Sequence, residues 1–212
     1  MKFAIFALAL GLGISTPTHA GRVKVACVGD SITFGVGVGN RDRDSYPAQL
    51  GRLLGRGYDV QNFGSSGATL LEQGNNPYVK TRAFRDAMKF RPNVVVILLG
   101  TNDSKTRNWD GRADQFLPDY HALIARFAHL PGPPKVFVCL PPPARRRDGD
   151  IRERVIVRQR QLVRQMAATE KLPLIDLDTP FRGHPDWLAD GIHPNAAGAA
   201  AIAKIVATAI RN

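Results

Sequence analysis

The chain has 212 residues, a length that suits one domain with a core that needs no disulfide or metal. Its formal net charge of +11 favours contact with anions such as acidic polysaccharides, nucleic acids or anionic membranes. Nucleic-acid binding is not expected, because no aromatic residues interleave with the charges of the densest basic stretch, residues 144–165. That stretch is interpreted as a solvated helix face.

The first 20 residues have the composition of a secretory signal peptide. Lys2 is their only charged residue, an apolar run covers Phe3–Ile14, and Thr18-His19-Ala20 follows. We therefore expect cleavage near Ala20, export to the periplasm or the medium, and a hydrolase-sized domain over residues 21–212. A membrane anchor is the alternative, but the run is shorter than the ~20 apolar residues that a spanning helix needs.

Short apolar runs alternate with amphipathic stretches along the rest of the chain. Continuous Val-rich runs are typical of strands buried on both faces of a parallel sheet, and the predicted strands are VKVACV, YDVQNF, NVVVILL, KVFVCLP and LPLIDL. The predicted helices are YPAQLGRLLG, YVKTRAFRDAMKF, ADQFLPDYHALIARFAHL, IRERVIVRQRQLVRQMAATE and NAAGAAAIAKIVATAI. This alternation predicts an α/β fold, an open three-layer α/β/α sandwich.

Ligands of such sheets bind outside the carboxyl ends of the strands. The first strand is followed by Gly29-Asp30-Ser31, the second by SSGAT and the third by GTND, and the loop DGIHPN precedes the last helix. We expect these four segments to meet at one edge of the sheet.

Ser31 is a candidate nucleophile, because a hydroxyl between a strand end and a helix start faces outward at that edge. The commoner role of such a serine is a helix N-cap. A nucleophilic serine needs a base with an orienting partner, and Asp190 and His193 offer both at a three-residue offset. The alternatives are a surface histidine and a turn-forming aspartate. Only His184 is a nearby third metal ligand, so a metal site is not expected.

Acyl transfer also needs hydrogen-bond donors for the developing oxyanion. The glycines of NFGSSGAT allow close approach of backbone to a ligand, and Asn102 supplies a side-chain amide just past the third strand. Turn geometry and helix capping are the alternative roles of these residues.

Together the four segments resemble the GDSL/SGNH-type hydrolases, a family named for Ser, Gly, Asn and His in four separated blocks. Here the blocks are Ser31 in GDSIT, Gly67 in NFGSSGAT, Asn102 in GTND, and His193 with Asp190 in DGIHPN. Their order and spacing match the family over nearly the whole chain after the leader. Gly64 also lies in the second block, but Gly67 aligns with the family's glycine.

The resemblance implies a flavodoxin-like parallel sheet of five strands in the order 2-1-3-4-5, with no metal or organic cofactor. It implies Ser31 as the nucleophile, His193 as general base and acid, and Asp190 as the residue that orients His193. It also implies an oxyanion hole built from the Ser31 N–H, the Gly67 N–H and the Asn102 amide.

Segments such as LGTNDSK, KVFVCLPPPA and LADGIHPNAAG are similar to those of bacterial sialate O-acetylesterases and related carbohydrate acetylesterases. The predicted activity is therefore that of a carboxylic ester hydrolase acting on O-acyl esters, above all O-acetyl esters, of a small-molecule or polysaccharide substrate. The run Arg145–Arg147 replaces part of the family's pattern and is expected to border the cleft.

Three alternatives were weighed. A lysophospholipase or thioesterase on the same scaffold would prefer long acyl chains. A non-catalytic module would bind acidic polymers through its Arg-rich face and show no turnover. A nucleotide-binding role for GVGVGN is disfavoured, because its glycines follow the strand-to-helix turn instead of forming it.

Cys27 and Cys139 lie in the first and fourth predicted strands. With the implied strand order the third strand separates them, which puts their backbones roughly 9–10 Å apart. A disulfide needs Cα atoms within ~7 Å. Both thiols are therefore predicted to be free.

Overall fold

The computed structural model describes residues 21–145 and 150–212. The predicted leader, residues 1–20, and Arg146 and Arg147 of the basic run lie outside the described residues. Among the helices of the described residues, none combines the length and the apolar character needed to cross a membrane.

Strands and helices alternate in chain order, with four short 3-10 turns between them. The strands are β1 (Val23–Gly29), β2 (Tyr58–Gly64), β3 (Val94–Leu98), β4 (Lys135–Leu140) and β5 (Leu174–Asp176). The helices are α1 (Ser31–Phe34), α2 (Arg41–Asp44), α3 (Tyr46–Leu54), α4 (Arg82–Phe90), α5 (Thr106–Trp109), α6 (Phe116–Ala128), α7 (Glu153–Glu170), α8 (Asp178–Arg182) and α9 (Ala196–Arg211). The 3-10 turns are Tyr78–Lys80, Asn102–Ser104, Ala113–Gln115 and Pro185–Trp187.

The five strands form one parallel sheet in the order β2-β1-β3-β4-β5. The chain therefore has the predicted α/β fold with the predicted strand order. Because every strand runs the same way, the segments that follow β1, β2 and β3 leave the sheet at a common edge.

Helices cover both faces of the sheet, which makes the three predicted layers. Successive side chains of a strand point to opposite faces, so Val25 and Cys27 of β1 pack with α3 and α9, whereas Ala26 and Val28 pack with α4, α6 and α7. Strands buried on both sides explain the continuous apolar runs in the sequence.

Two cysteines lie in this core on β1 and β4, with β3 between them. Both are buried and free, as predicted.

One predicted helix is divided in the structure. The stretch YVKTRAFRDAMKF forms the turn Tyr78–Lys80 and then α4, because Thr81 caps the new helix and its Oγ1 accepts the N–H of Phe84 at 3.1 Å. The N-cap of α9 is Asn195, whose side chain accepts the N–H of Gly198.

The interpretation of residues 144–165 as a solvated helix face is wrong for Arg160, which is 4% exposed. Its Nη1 lies 2.8 Å from Glu153 Oε1 and 3.1 Å from Asp178 Oδ1, and its Nε donates to the carbonyl of Pro141. A buried guanidinium is tolerated here because carboxylates and a carbonyl satisfy it. The residue joins α7, α8 and the end of β4.

Candidate active site

Ser31 is the first residue of α1, directly after β1. The N-cap of that helix is Asp30, whose carboxylate accepts the N–H of Ile32 at 2.9 Å, so the capping alternative does not apply to Ser31. Only 6% of Ser31 is exposed, because the neighbouring loops cover most of the residue. Its hydroxyl is less open than the sequence led us to expect.

The Ser31 hydroxyl lies 2.9 Å from His193 Nε2, and His193 Nδ1 lies 2.8 Å from Asp190 Oδ2. A neutral ring with its proton on Nδ1 donates to Asp190 and leaves Nε2 to accept the serine proton. The structure thus brings the three residues together in the predicted order. This geometry is that of a serine nucleophile with its base and orienting carboxylate.

The loop that carries His193 is held by its own backbone. Leu188 and Pro194 form an antiparallel bridge, and the N–H of Ala189 donates to the carbonyl of His193 at 2.7 Å. The carbonyl of Gly191 accepts the N–H of Arg145 at 2.7 Å. Arg145 therefore lies beside the histidine loop, and its guanidinium donates to the carbonyl oxygens of residues 181 and 182.

A glycine after α1 approaches the histidine from the other side. A Cβ built on Gly37 would lie 3.0 Å from the His193 Cβ and 2.8 Å from the Pro194 carbonyl, and φ at Gly37 is +95°. Both facts call for glycine at this position. The segment GVGVGN, singled out in the sequence as a nucleotide motif and rejected, packs against the back of His193.

The loop after β2 carries Gly67, which has φ +78°. A Cβ on this glycine would meet only Asn76 Nδ2 at 3.7 Å, so its surroundings are open. Within residues 21–145 and 150–212, neither the Gly67 N–H nor the Ser31 N–H donates a hydrogen bond. Two backbone donors therefore stand free for an oxyanion. Gly64 serves packing instead, because a Cβ there would lie 2.2 Å from the Phe34 nitrogen.

Asn102 begins the 3-10 turn after β3 and is 5% exposed. Its Nδ2 donates to the carbonyl of Ala68 at 3.1 Å and lies 3.5 Å from Asp30 Oδ2. The amide thereby joins the residue after Gly67 to the residue before Ser31. All three predicted oxyanion donors belong to segments linked through this side chain.

Asp103 is a positioning residue that sequence reasoning did not assign. Its two carboxylate oxygens accept the N–H groups of Leu70 and Leu71 at 2.9 and 2.7 Å. Burial raises the pKa of Asp103 to about 6 and that of Asp30 to about 7. The letters GTND contained the signal, because a carboxylate directly after the candidate amide at a strand end needs buried partners.

Among the described residues, no group of three or more His, Cys, Asp or Glu is arranged to hold a metal ion. His184, the candidate third ligand in the sequence, stacks on Trp187 with ring centroids 3.8 Å apart.

The sequence model of the GDSL-like lipase/acylhydrolase family matches residues 27–201, which include every residue of the site described above. The chain belongs to this family. The resemblance seen in the four blocks is confirmed, and so is the assignment to the carboxylic ester hydrolases, the class of enzymes that the family comprises.

Two curated relatives match by sequence. An acetylxylan esterase from Xylanibacter ruminicola is 39% identical over 208 residues, covering 89% of this chain and 43% of the relative. A multidomain esterase from Ruminococcus flavefaciens is 23% identical over 242 residues, covering 93% of this chain and 31% of the relative. The chain thus spans less than half the length of either relative.

Among solved structures, a carbohydrate acetylesterase from Sinorhizobium meliloti superposes with a TM-score of 0.71 at 22% identity. The match covers 90% of this chain and 99% of that one. It confirms the fold.

Proposed function

We propose that this member of the GDSL-like family is a serine esterase that removes O-acetyl groups from a carbohydrate. The hydrogen-bonded series Ser31–His193–Asp190 carries the proposal, since each contact has the length of a good hydrogen bond. The 39% identity to an acetylxylan esterase supports acetyl as the acyl group and a sugar hydroxyl as the leaving group.

The first half-reaction transfers the acyl group to the enzyme. Ser31 Oγ attacks the acetyl carbon while its proton moves to His193 Nε2, and the carbonyl π electrons move to the oxygen. The oxyanion then accepts hydrogen bonds from the N–H groups of Ser31 and Gly67 and from the Asn102 amide. When the intermediate collapses, the bond to the sugar oxygen breaks and that oxygen takes the proton from His193.

The second half-reaction returns the enzyme to its starting state. Water attacks the acetyl-serine as its proton moves to His193 Nε2, and collapse releases acetate and restores the Ser31 hydroxyl. Throughout, Asp190 holds the ring so that Nε2 faces Ser31, and its negative charge stabilises the imidazolium formed in each half-reaction.

Replacing the nucleophile tests the proposal. Ser31→Ala should fold with an unchanged Tm and lose at least ~10³-fold in kcat/KM on 4-nitrophenyl acetate. A phosphonate ester probe should label the wild-type protein at Ser31, as located by peptide mass spectrometry. Retained activity in the variant, or labelling of another residue, would contradict the assignment.

A panel of esters tests the substrate class. The panel runs from acetyl to long-chain acyl esters of one alcohol and includes acetylated xylo-oligosaccharides. Activity should fall steeply beyond acetyl and should release acetate from the oligosaccharides. Equal or higher activity on long chains would favour the lysophospholipase or thioesterase alternative.

A further inference from the structure

Lys105 lies at the catalytic edge without a partner for its charge. It follows the turn Asn102–Ser104 directly, and its N–H donates to the Asn102 carbonyl at 3.3 Å. The residue is partly buried. Its ammonium interacts electrostatically with Asp30, the neighbour of Ser31 in the chain.

The arginines around it are engaged. Arg152 donates to the Ser104 carbonyl and lies 2.7 Å from Asp110, and Arg41 donates to the Phe34 carbonyl at 2.8 Å. Arg145 donates to two carbonyl oxygens near the histidine loop. Within the described part of the chain, no carboxylate contacts the Lys105 ammonium.

The charges around Lys105 also leave it unsatisfied. Burial and the neighbouring Arg107 lower the pKa of Lys105, and the more distant Asp150 and Asp30 compensate only in part. A partly desolvated ammonium gains more from a carboxylate ligand than a fully hydrated one does. The net charge of +11 favours the approach of such a ligand.

We propose that Lys105 binds a carboxylate of the substrate, so that the enzyme prefers acetyl esters on sugar chains that contain uronic acids. The proposal rests on the proposed function, because it places the acidic sugar beside the acetyl group that Ser31 attacks. Lys105 is then a specificity-determining residue with no part in the chemical steps.

The first test compares two substrates that differ only in charge: an O-acetylated uronic-acid oligosaccharide and its carboxyl-reduced, neutral counterpart. The wild type should show a roughly five- to tenfold higher kcat/KM on the acidic one at low salt, and the preference should shrink in 0.5 M NaCl. Lys105→Met should abolish the preference, whereas Lys105→Arg should keep most of it. All of these proteins should hydrolyse 4-nitrophenyl acetate equally well.

The matched control is Lys204→Met, which removes an exposed lysine on α9 outside the site. It should leave the preference unchanged. A preference that survives in Lys105→Met, or equal losses on both substrates, would overturn the assignment of Lys105 while the proposed function stands. Failure to hydrolyse either substrate would contradict the proposed function instead.

A binding measurement keeps the two failures apart. In the Ser31→Ala background, calorimetry with the acidic oligosaccharide needs no turnover. Adding Lys105→Met should raise its Kd about fivefold, and adding Lys204→Met should not change it. Equal Kd values for all three proteins would refute the carboxylate contact.

Discussion

Asp190 differs from the other two aspartates of the site in the direction of its pKa. Burial acts to raise it, but the N–H groups of Ile192 and His193 and the His193 ring together hold the pKa of Asp190 at about 2. Burial prevails at Asp30 and Asp103, whose pKa values rise. Asp190 is therefore a carboxylate at every pH at which an esterase is assayed.

Asp190→Asn tests this at the residue scale. The amide removes the charge that orients His193 and stabilises its imidazolium, so kcat should fall by roughly 10³–10⁴. The folded-state pKa lies below the ordinary value of 3.8, so the wild type gains stability from ionised Asp190 above about pH 4. That gain should be lost as the pH falls towards 2, and the variant should lack this pH-dependent part.

Urea unfolding at several pH values, together with kcat on 4-nitrophenyl acetate, measures both effects. The control is Asp186→Asn, an exposed carboxylate near His184 that should change neither quantity. A variant with wild-type kcat would remove Asp190 from the catalytic machinery.

At the scale of elements, the segment after α1 positions the base. Gly37→Ala forces a Cβ against His193 and the Pro194 carbonyl at a positive φ, so the histidine should be displaced. Because a shift of about 1 Å can cost ~10²-fold in rate, kcat should fall by ~10–10² with KM within twofold of the wild type.

Gly39→Ala is the matched control, since nothing lies within 4 Å of a Cβ at Gly39. Its kcat should stay within twofold of the wild type. If both variants lose activity in proportion to a loss in Tm, Gly37 affects stability alone and does not position His193.

The elements were predictable where one local pattern decides them. Val-rich runs gave the strands, and Asn195 marked the start of α9. Local patterns could not show that Gly37 packs on His193 or that Asp103 holds the Gly67 loop. These contacts join segments that are distant along the chain, and each residue also fits an ordinary turn.

The whole molecule follows the same division. The four blocks predicted the edge at which Ser31, Gly67, Asn102 and His193 meet, because parallel strands end together. The burial of Arg160 could not be predicted, since its partners come from three elements that meet only in the folded protein.

The two thiols report on the whole sheet. Cys27 and Cys139 are 0% and 1% exposed, and burial raises the pKa of Cys27 to about 12. Because the thiolate is the reactive form, 5,5′-dithiobis(2-nitrobenzoic acid) should label neither thiol in the native protein and both in denaturant. Labelling under native conditions should be as slow as global unfolding. Rapid native labelling of one cysteine would show that its strand opens locally.

Ser31 and His193 are joined by a hydrogen bond across 162 positions of the chain. If they act as proposed, a refolding chain can assemble its nucleophile and its oxyanion donors from the first three strands while it still lacks a base. Ester hydrolysis then begins only when the segment Leu188–Pro194 closes over α1. The onset of turnover therefore times the last long-range step of folding, whereas collapse of the sheet passes without any catalytic sign.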